Sequence, residues 1–445
     1  MTVWRAIQHP TRLVPIAFLA AIAVGTIVLM LPMARAGPGG APLLVALFTA
    51  TSAVCVTGLA VVDTGTYWSG FGQGAILALV QIGGLGIMTA ATLLGLIVSN
   101  RLRLGRRLLA QAETRTMALG DVGAALRLIL IVFLTVELTI AALLFLRFWL
   151  GHGEPFGQAV WDGVFHAVSA FNNAGFGLRS DNLIGFHADP LILLPLIAAI
   201  VIGGIGFPVL YELRRELFTP RTWSLHTKLT VSTYLGLLVL GLVLTLAFEW
   251  WNARTLGPMD TGTKLLNGLF HSVSSRTAGF NAVDIGGMRP ETLLVTDALM
   301  LIGGGSGGTA GGIKVTTFII LGLIVWTEAL GERDSHAFRR RLSVDIQRLA
   351  LSVALLAIAV VGIGTLAVLS MSTFELGPVL FEVVSAFATT GLSTGITPQL
   401  PPGAQGVLIV LMFIGRVGTV TAAAALVLRS RPRPYRYPEE RPIIG

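Results

Sequence analysis

Four short segments of the 445-residue chain each end in a glycine that follows two residues suited to a tight turn. They are Val56-Thr57-Gly58, Asn173-Ala174-Gly175, Thr277-Ala278-Gly279 and Thr389-Thr390-Gly391. Glycine permits the positive backbone angles that turn carbonyl groups inward. A ring of carbonyl oxygens from four such loops can replace the hydration shell of a K⁺-sized ion. The sequence therefore predicts an ion-binding ring made of backbone oxygens.

Each glycine belongs to a longer repeat, which must position it. The four glycines are 117, 104 and 112 residues apart, and an apolar residue follows each one. A second signature follows, and its first glycine lies 24 to 28 residues later. The signatures are QIGGLG at 81–86, VIGGIG at 201–206, LIGGGS at 301–306 and FIGRVG at 413–418. This alternation predicts four units, each consisting of a helix, a short re-entrant helix and a second helix.

The composition is that of a membrane protein. Charged residues make up 12% of the chain and hydrophobic residues 54%, and glycine occurs 53 times. These proportions exclude an ordinary soluble enzyme, a disordered protein and a coiled coil. The single cysteine, Cys55, excludes a disulfide framework and a cysteine-based zinc site. We expect an all-α polytopic membrane protein with eight transmembrane helices and four re-entrant pore helices.

The basic residues indicate orientation. Of 31 lysines and arginines, 22 lie at the termini and in alternate connections, and 6 in the other connections. The positive-inside rule then predicts a multi-pass protein of the cytoplasmic membrane with both termini cytoplasmic. Because topology accounts for the basic excess, we expect membrane lipid and not nucleic acid as a partner. The predicted units are repeats 1–100, 124–216, 230–330 and 349–430, connections 101–123, 217–229 and 331–348, and a tail at 431–445.

The four short segments are too polar and too short to span a bilayer. Non-helical backbone at membrane depth is tolerated where it lines a polar cavity. All four segments enter from the same side, so they can converge on one axis with pseudo-four-fold symmetry. The negative ends of the short helices would then favour a cation. The alternative is that each glycine is only a helix C-cap.

These motifs resemble those of the Ktr/Trk/HKT-type potassium transporters, and within them the KtrB-type ion-conducting subunits. The resemblance rests on FTATSAVCVTGLAVVDTG, FHAVSAFNNAGF, SRTAGFN and FIGRVG, and it covers the chain from about residue 10 to the end. It implies a K⁺-conducting pore with four M1–pore helix–M2 repeats, a homodimer, and a separate cytoplasmic ring of nucleotide-binding KtrA-type RCK subunits. Plant relatives with serine in the first filter favour Na⁺, so Gly58 argues for K⁺.

The third repeat contains a stretch that cannot be a stable helix. Residues 303–312 include seven glycines, each costing about 1 kcal/mol relative to alanine in a helix. The stretch is Gly303, Gly304, Gly305, Ser306, Gly307, Gly308, Thr309, Ala310, Gly311 and Gly312. An irregular loop is therefore expected, and the resemblance implies that it obstructs the pore as a gate. A small-residue face for close helix packing is the alternative.

Two charged residues are associated with this loop. One follows it in the sequence, and the other lies at the matching position of the fourth repeat. Lys314 follows the loop, and Arg416 replaces the second glycine of the fourth signature. Charges inside a membrane are costly and by default suggest a function. We expect Arg416 to lie beneath the filter, and the resemblance implies that it raises a barrier to cations. A purely structural role, with loop carbonyls satisfying the charge, is the alternative.

Several other polar residues have weaker interpretations. Asp63, Asp181 and Asp284 follow the first three filters, where each could cap a helix or attract cations to the outer mouth. His166 and His271 are expected to be buried and hydrogen-bonded. Glu137 is expected to pair with a polar neighbour that the sequence does not identify, and Arg276 to brace the third filter.

The expected function is K⁺ uptake through a selective, channel-like pore, with Na⁺ as a second candidate ion. No convergent cluster of titratable residues predicts an enzyme. The main alternatives are a Na⁺- or H⁺-coupled secondary cation carrier and a less selective K⁺/Na⁺ conduit. Secondary carriers usually show inverted repeats, whereas these four units enter from one side.

Overall fold

The described part of the protein is built almost wholly from helices. The structure is a computed structural model, and it describes residues 10–106, 122–332 and 334–418. The helices are α1 Pro10–Leu29, α2 Leu43–Val54, α3 Thr64–Tyr67, α4 Gly70–Arg106, α5 Val122–Leu146, α6 Phe156–Phe171, α7 Pro190–Ile205, α8 Phe207–Glu216, α9 Leu225–Glu249, α10 Thr261–Ser274, α11 Pro290–Leu301, α12 Val315–Ala329, α13 Val344–Met371, α14 Leu376–Ala388 and α15 Pro402–Phe413. A small antiparallel hairpin, β1 His336–Ala337 and β2 Arg340–Arg341, joins α12 to α13.

One order of elements recurs four times along the described chain. A helix is followed by a shorter helix, a glycine-containing loop and another helix or helix pair. The shorter helices are α2, α6, α10 and α14. In each of these helices the repeated motif starts with a phenylalanine that is at most 1% exposed: Phe48, Phe165, Phe270 and Phe381. The helix after each loop also packs on the short helix of the next unit: α4 on α6, α7 on α10, α11 on α14, and α15 on α2.

Candidate membrane-spanning helices can be identified by length and composition. Within the described ranges, four segments are long and apolar enough to cross a bilayer: Gly70–Ala90, Leu126–Gly151, Leu225–Glu249 and Val344–Met371. The helices α7 and α8 together form a fifth candidate, bent by 105°. Three of the eight predicted spans correspond to shorter apolar helical segments: Leu13–Leu29, Val315–Ala329 and Pro402–Gly418.

The structure contains two helix breaks, only one of which was predicted from the sequence. The break between α11 and α12 lies at the glycine-rich stretch, as predicted. The bend between α7 and α8 lies at Gly206, whose φ is +102° and whose next residue but one is Pro208. A side chain is strained at such a φ, and proline cannot continue the hydrogen-bond ladder of the preceding helix.

Some helix ends differ from the predicted unit boundaries. Helix α9 begins at Leu225, before the predicted residue 230, because the Ser224 hydroxyl accepts a hydrogen bond from the Thr227 N–H at 3.2 Å. Helix α13 begins at Val344, before the predicted residue 349. The predicted tail at 431–445 and most of the predicted connection 101–123 lie outside the described residues.

Candidate functional site

The four glycine segments share one backbone conformation. In each, the first residue and the glycine have positive φ. The first residues are Val56 (55°), Asn173 (59°), Thr277 (73°) and Thr389 (50°), and the glycines are Gly58 (89°), Gly175 (69°), Gly279 (79°) and Gly391 (95°). A non-glycine residue with positive φ is uncommon and strained, so four at matched positions indicate a shared requirement. Alternation of left-handed and other backbone angles lets successive carbonyl groups face one side of the chain.

The four segments lie next to one another in a closed ring. A methyl group added at any of the four glycines would collide with the carbonyl oxygen of the middle residue of the next segment. The pairs are Gly58 with Ala174, Gly175 with Ala278, Gly279 with Thr390, and Gly391 with Thr57. The structure thus brings together all twelve residues of the sequence-predicted ring. The apolar residues after the glycines are at most 2% exposed: Leu59, Phe176, Phe280 and Leu392.

A serine in each short helix tethers its segment, a role that was not among the sequence-based predictions. The serine carbonyl oxygen accepts the N–H of the middle residue, for example Thr390 to Ser385 at 2.8 Å. In the first and fourth units the hydroxyl accepts the glycine N–H at 3.0 Å. In the second and third it donates to the carbonyl of the following phenylalanine. The serines are Ser52, Ser169, Ser274 and Ser385, and the signal that could have found them is the Phe-x-x-x-Ser spacing in every repeat.

We predict that Ser385→Ala loosens the fourth segment. The Gly391 N–H would lose its partner, and an unsatisfied donor of this kind costs about 1 to 3 kcal/mol. The thermal midpoint of the purified protein should fall measurably. Ser370→Ala is the matched control, because the exposed Ser370 hydroxyl donates only within its own helix, to the Ala367 carbonyl. Equal shifts for the two variants would contradict the tether.

The second signature has a packing role. A Cβ at its first glycine would collide with the carbonyl of one of the last two residues of the short helix in the same unit, for three of the four repeats. The pairs are Gly83 with Val54, Gly203 with Phe171, and Gly415 with Phe387. The glycines therefore allow the following helix to pack closely against the end of the short helix. In the third repeat Gly303 instead meets Gly311 of the glycine-rich loop.

The glycine-rich loop 303–312 is irregular, as predicted, and its ends are pinned together. The Gly303 N–H donates to the Ile313 carbonyl at 2.8 Å, and the Ile313 N–H donates to Leu301 at 2.9 Å. Its middle is held by the bend at Gly206, because the Phe207 N–H donates to the Gly307 carbonyl at 3.1 Å. Within this loop Ser306 bonds to Thr316 at 3.1 Å.

The loop also contacts residues of the ring and of the short-helix ends that precede it. The Gly311 N–H donates to the Thr277 hydroxyl at 3.3 Å, and the Thr309 hydroxyl donates to the Phe171 carbonyl at 3.2 Å. A Cβ on Gly311 would collide with Thr389 and the carbonyl of Ala388. The loop is thus in contact with the second, third and fourth units at the level of the ring.

Two cationic side chains hold consecutive carbonyls of this loop. Arg416, 2% exposed, donates from Nη1 to the Thr309 carbonyl. Lys314 donates from Nζ to the Ala310 carbonyl at 2.6 Å. The Nε and Nη2 atoms of Arg416 are buried and have no protein partner among the described residues. Loop carbonyls therefore satisfy only part of the arginine's hydrogen-bonding capacity.

The remaining sequence-predicted residues have defined partners. Asp63, Asp181 and Asp284 each accept a backbone N–H in a capping arrangement, at 2.8, 2.9 and 3.0 Å. His166 bonds to the Asp162 carbonyl and His271 to the Thr296 hydroxyl, at 2.8 and 3.0 Å. No group of three or more His, Cys, Asp and Glu residues in the described ranges could hold a metal ion.

Arg276 and Glu137 lie behind the third and second segments, respectively. Arg276 is fully buried and donates to the carbonyls of Tyr234 and Gly303, both at 2.7 Å. It therefore links α9 to the start of the glycine-rich loop. Glu137 accepts hydrogen bonds from Gln81 and Asn172, which are the polar neighbours that the sequence could not identify.

Comparison with known proteins places the chain among cation transporters. The sequence model of the TrkH family, described as "Cation transport protein", matches residues 6–432. The "Ktr system potassium uptake protein B" of Bacillus subtilis (strain 168) is 38% identical, covering 98% of this chain and 97% of the relative. The protein of the same name from Vibrio alginolyticus is 34% identical, covering 98% and 94%.

Two further similarities extend this result. The "Potassium/sodium uptake protein NtpJ" of Enterococcus hirae is 34% identical, covering 98% of this chain and 97% of the relative. The crystal structure of the potassium transporter TrkH from Vibrio parahaemolyticus has the same fold, with a TM-score of 0.72 at 17% identity, covering 95% of this chain and 85% of that one. The chain therefore belongs to the TrkH family of cation transport proteins, which confirms the resemblance found in its motifs.

Proposed function

We propose that the protein mediates K⁺ uptake across the cytoplasmic membrane through a channel-like pore. The observation that carries this proposal is the closed ring of four glycine segments, each in van der Waals contact with the next. Carbonyl oxygens arranged in this way can replace the hydration shell of K⁺. The names of the relatives, two of which are potassium uptake proteins, support the choice of ion.

The proposed architecture is four M1–pore helix–M2 repeats around one axis, with the twelve ring residues as the selectivity filter. The recurrent order of elements supports it, as does the packing of each unit on the next. The proposed orientation has both termini in the cytoplasm, which the distribution of basic residues supports.

The loop 303–312, with Lys314 and Arg416, is the proposed gate. It contacts three of the four units, and seven of its ten residues are glycines, which have no side chain to pack. Two positive charges bound to its carbonyls would repel a cation that leaves the filter. Opening requires those hydrogen bonds to break while the pinned ends stay closed.

The active assembly is proposed to be a homodimer bound to a separate cytoplasmic nucleotide-binding ring of the KtrA type. Relatives named as components of Ktr systems support a multi-component assembly. Stimulation of uptake by Na⁺ belongs to this proposal as well.

A second candidate function is a conduit with weaker selection between K⁺ and Na⁺. The name of the Enterococcus relative, a potassium/sodium uptake protein, favours it. All four filter glycines are present in this chain, which favours the selective pore instead.

Flux measurements on the purified protein in liposomes test the proposal. K⁺ should move down its own gradient in the absence of any Na⁺ or H⁺ gradient, and Na⁺ should move much more slowly. Protein-free liposomes and liposomes given a K⁺ ionophore set the two limits. K⁺ movement that requires an imposed Na⁺ or H⁺ gradient would identify a coupled carrier, and equal K⁺ and Na⁺ fluxes would identify the less selective conduit.

A further inference from the structure

Three polar side chains from three helices form a closed cluster behind the second filter segment. Asn172 Nδ2, at the end of α6, donates to Gln81 Oε1 on α4 at 2.8 Å and to Glu137 Oε1 on α5 at 3.0 Å. Gln81 Nε2 donates to Glu137 Oε2 at 3.0 Å. Glu137 is 6% exposed and Asn172 is fully buried. Every pair within the cluster is therefore hydrogen-bonded.

The cluster is joined directly to the ring. Asn172 immediately precedes Asn173-Ala174-Gly175, and its own N–H and side chain both bond to the Val168 carbonyl, at 3.1 and 2.9 Å. Any rotation of the Asn172 side chain would break bonds to two other helices and to its own. The orientation of this one amide thus fixes the backbone at the point where the helix turns into the filter.

A carboxylate determines which way that amide faces. Glu137 accepts through both of its carboxyl oxygens, so Gln81 and Asn172 both donate to it. The Asn172 Oδ1 atom consequently turns away from the cluster, where it is buried without a partner beside Gly84. A Cβ on Gly84 would collide with that oxygen. The Oδ1 atom of Asn172 is thus left as an unsatisfied acceptor. This indicates that the site requires the Asn172 amide to point its N–H groups at Gln81 and Glu137.

The carboxylate has no cationic partner among the described residues. The equivalent positions before the other filters are Cys55, Arg276 and Ala388, and only Arg276 also carries a long polar side chain. The second filter segment is thus held in a way that the first and fourth are not.

We propose that Glu137 is a positioning residue for the second filter segment and, acting through Asn172, sets how strictly K⁺ is selected over Na⁺. This inference rests on the proposed pore. A filter selects by the geometry and number of its carbonyl oxygens. If the second segment were free to shift, its carbonyl oxygens could adapt to Na⁺, the smaller ion. The selectivity for K⁺ over Na⁺ would then fall before the total flux does.

The first test is Glu137→Gln, which keeps the size of the side chain. Its amide would place a donor against the donor of Gln81, so Asn172 would have to turn and lose its bond to Val168. We expect the ratio of K⁺ to Na⁺ permeability in liposomes to fall about tenfold, the factor that corresponds to one charged hydrogen bond. The K⁺ flux itself should change far less.

The second test exchanges the two side chains, in the double variant Q81E/E137Q. The carboxylate at position 81 would accept from Asn172 and from the new amide at position 137, and that amide oxygen would accept from Asn172. All three hydrogen bonds are regained without any movement of Asn172, so the double variant should recover most of the lost selectivity. A folded double variant that is no more selective than Glu137→Gln would overturn the proposal.

The matched control is Glu249→Gln. Glu249 is likewise a fully buried carboxylate, and it accepts from Thr255, Thr292, Asn252 and the Arg289 N–H, away from the four filter segments. This variant should lower thermal stability and leave the permeability ratio unchanged. An equal fall in selectivity for both variants would show a general loss of structure and reject the role of Glu137.

The same measurements separate this inference from the proposed function. A wild-type protein without passive, K⁺-selective flux would refute the pore itself. A selective wild-type protein whose permeability ratio survives Glu137→Gln would refute only the inference about Glu137.

Discussion

Replacing Gly58 with serine is expected to remove the preference for K⁺ over Na⁺. Gly58 has a φ of +89°, where a residue with a side chain is strained by about 1 to 2 kcal/mol. The new Cβ would also collide with the Ala174 carbonyl oxygen, which belongs to the neighbouring segment of the ring. Both segments would have to move apart, so we expect selectivity to fall by about tenfold or more.

Growth of a K⁺-uptake-deficient bacterium on limiting K⁺ measures this effect, with and without a KtrA-type partner. The wild-type protein should restore growth and Gly58→Ser should not, unless K⁺ is plentiful. Gly70→Ser is the control, because no atom lies within 4 Å of a Cβ built at Gly70 in the same repeat. Undiminished K⁺ preference in Gly58→Ser, at normal abundance in the membrane, would contradict the filter assignment.

Arg416→Gln is expected to raise the K⁺ flux. Two unit charges about 4 Å apart repel by about 4 kcal/mol at an effective dielectric constant of about 20, so even a fraction of that barrier corresponds to tenfold or more in rate. The substitution also weakens the hold of the side chain on the Thr309 carbonyl of the glycine-rich loop, the proposed gate. Both effects act in the same direction.

The flux is measured in liposomes at matched protein content. Arg254→Gln removes the same charge from an exposed position in the connection before α10, and it should leave the flux unchanged. An unchanged or lower flux in Arg416→Gln, with normal membrane expression, would count against the barrier and favour a structural role for the charge.

The backbone geometry of the glycine segments could be predicted from the sequence because glycine tolerates backbone angles that other residues rarely adopt. Gly58 and its three counterparts have the positive φ that their turns suggested, and the seven glycines of 303–312 form the expected irregular loop. The repetition of the motif also contributed. Each of the four motifs is weak alone, but their matched positions support one common interpretation. The family assignment followed from these same residues and is confirmed.

What the sequence could not supply depends on contacts between distant residues. Gln81 and Asn172 lie far apart along the chain, and only the packing of α4 on α6 brings them to Glu137. The bend at Gly206 also depends on its neighbours, because the loop carbonyl of Ser306 occupies the space where a Cβ would lie. The hydropathy of this segment predicts one continuous helix. The helix instead bends at Gly206, where it packs against Ser306, a hundred residues later in the sequence.

A ring contributed by a single polypeptide has a consequence for how its properties can change. In a symmetric assembly of identical subunits, one substitution appears at every equivalent position at once. Here a mutation alters one quarter of the ring and leaves the other three as they were. Val56-Thr57-Gly58 and Asn173-Ala174-Gly175 already differ in two of three residues. Natural variation can therefore adjust such a ring in small increments, with each quarter diverging on its own while the others preserve transport.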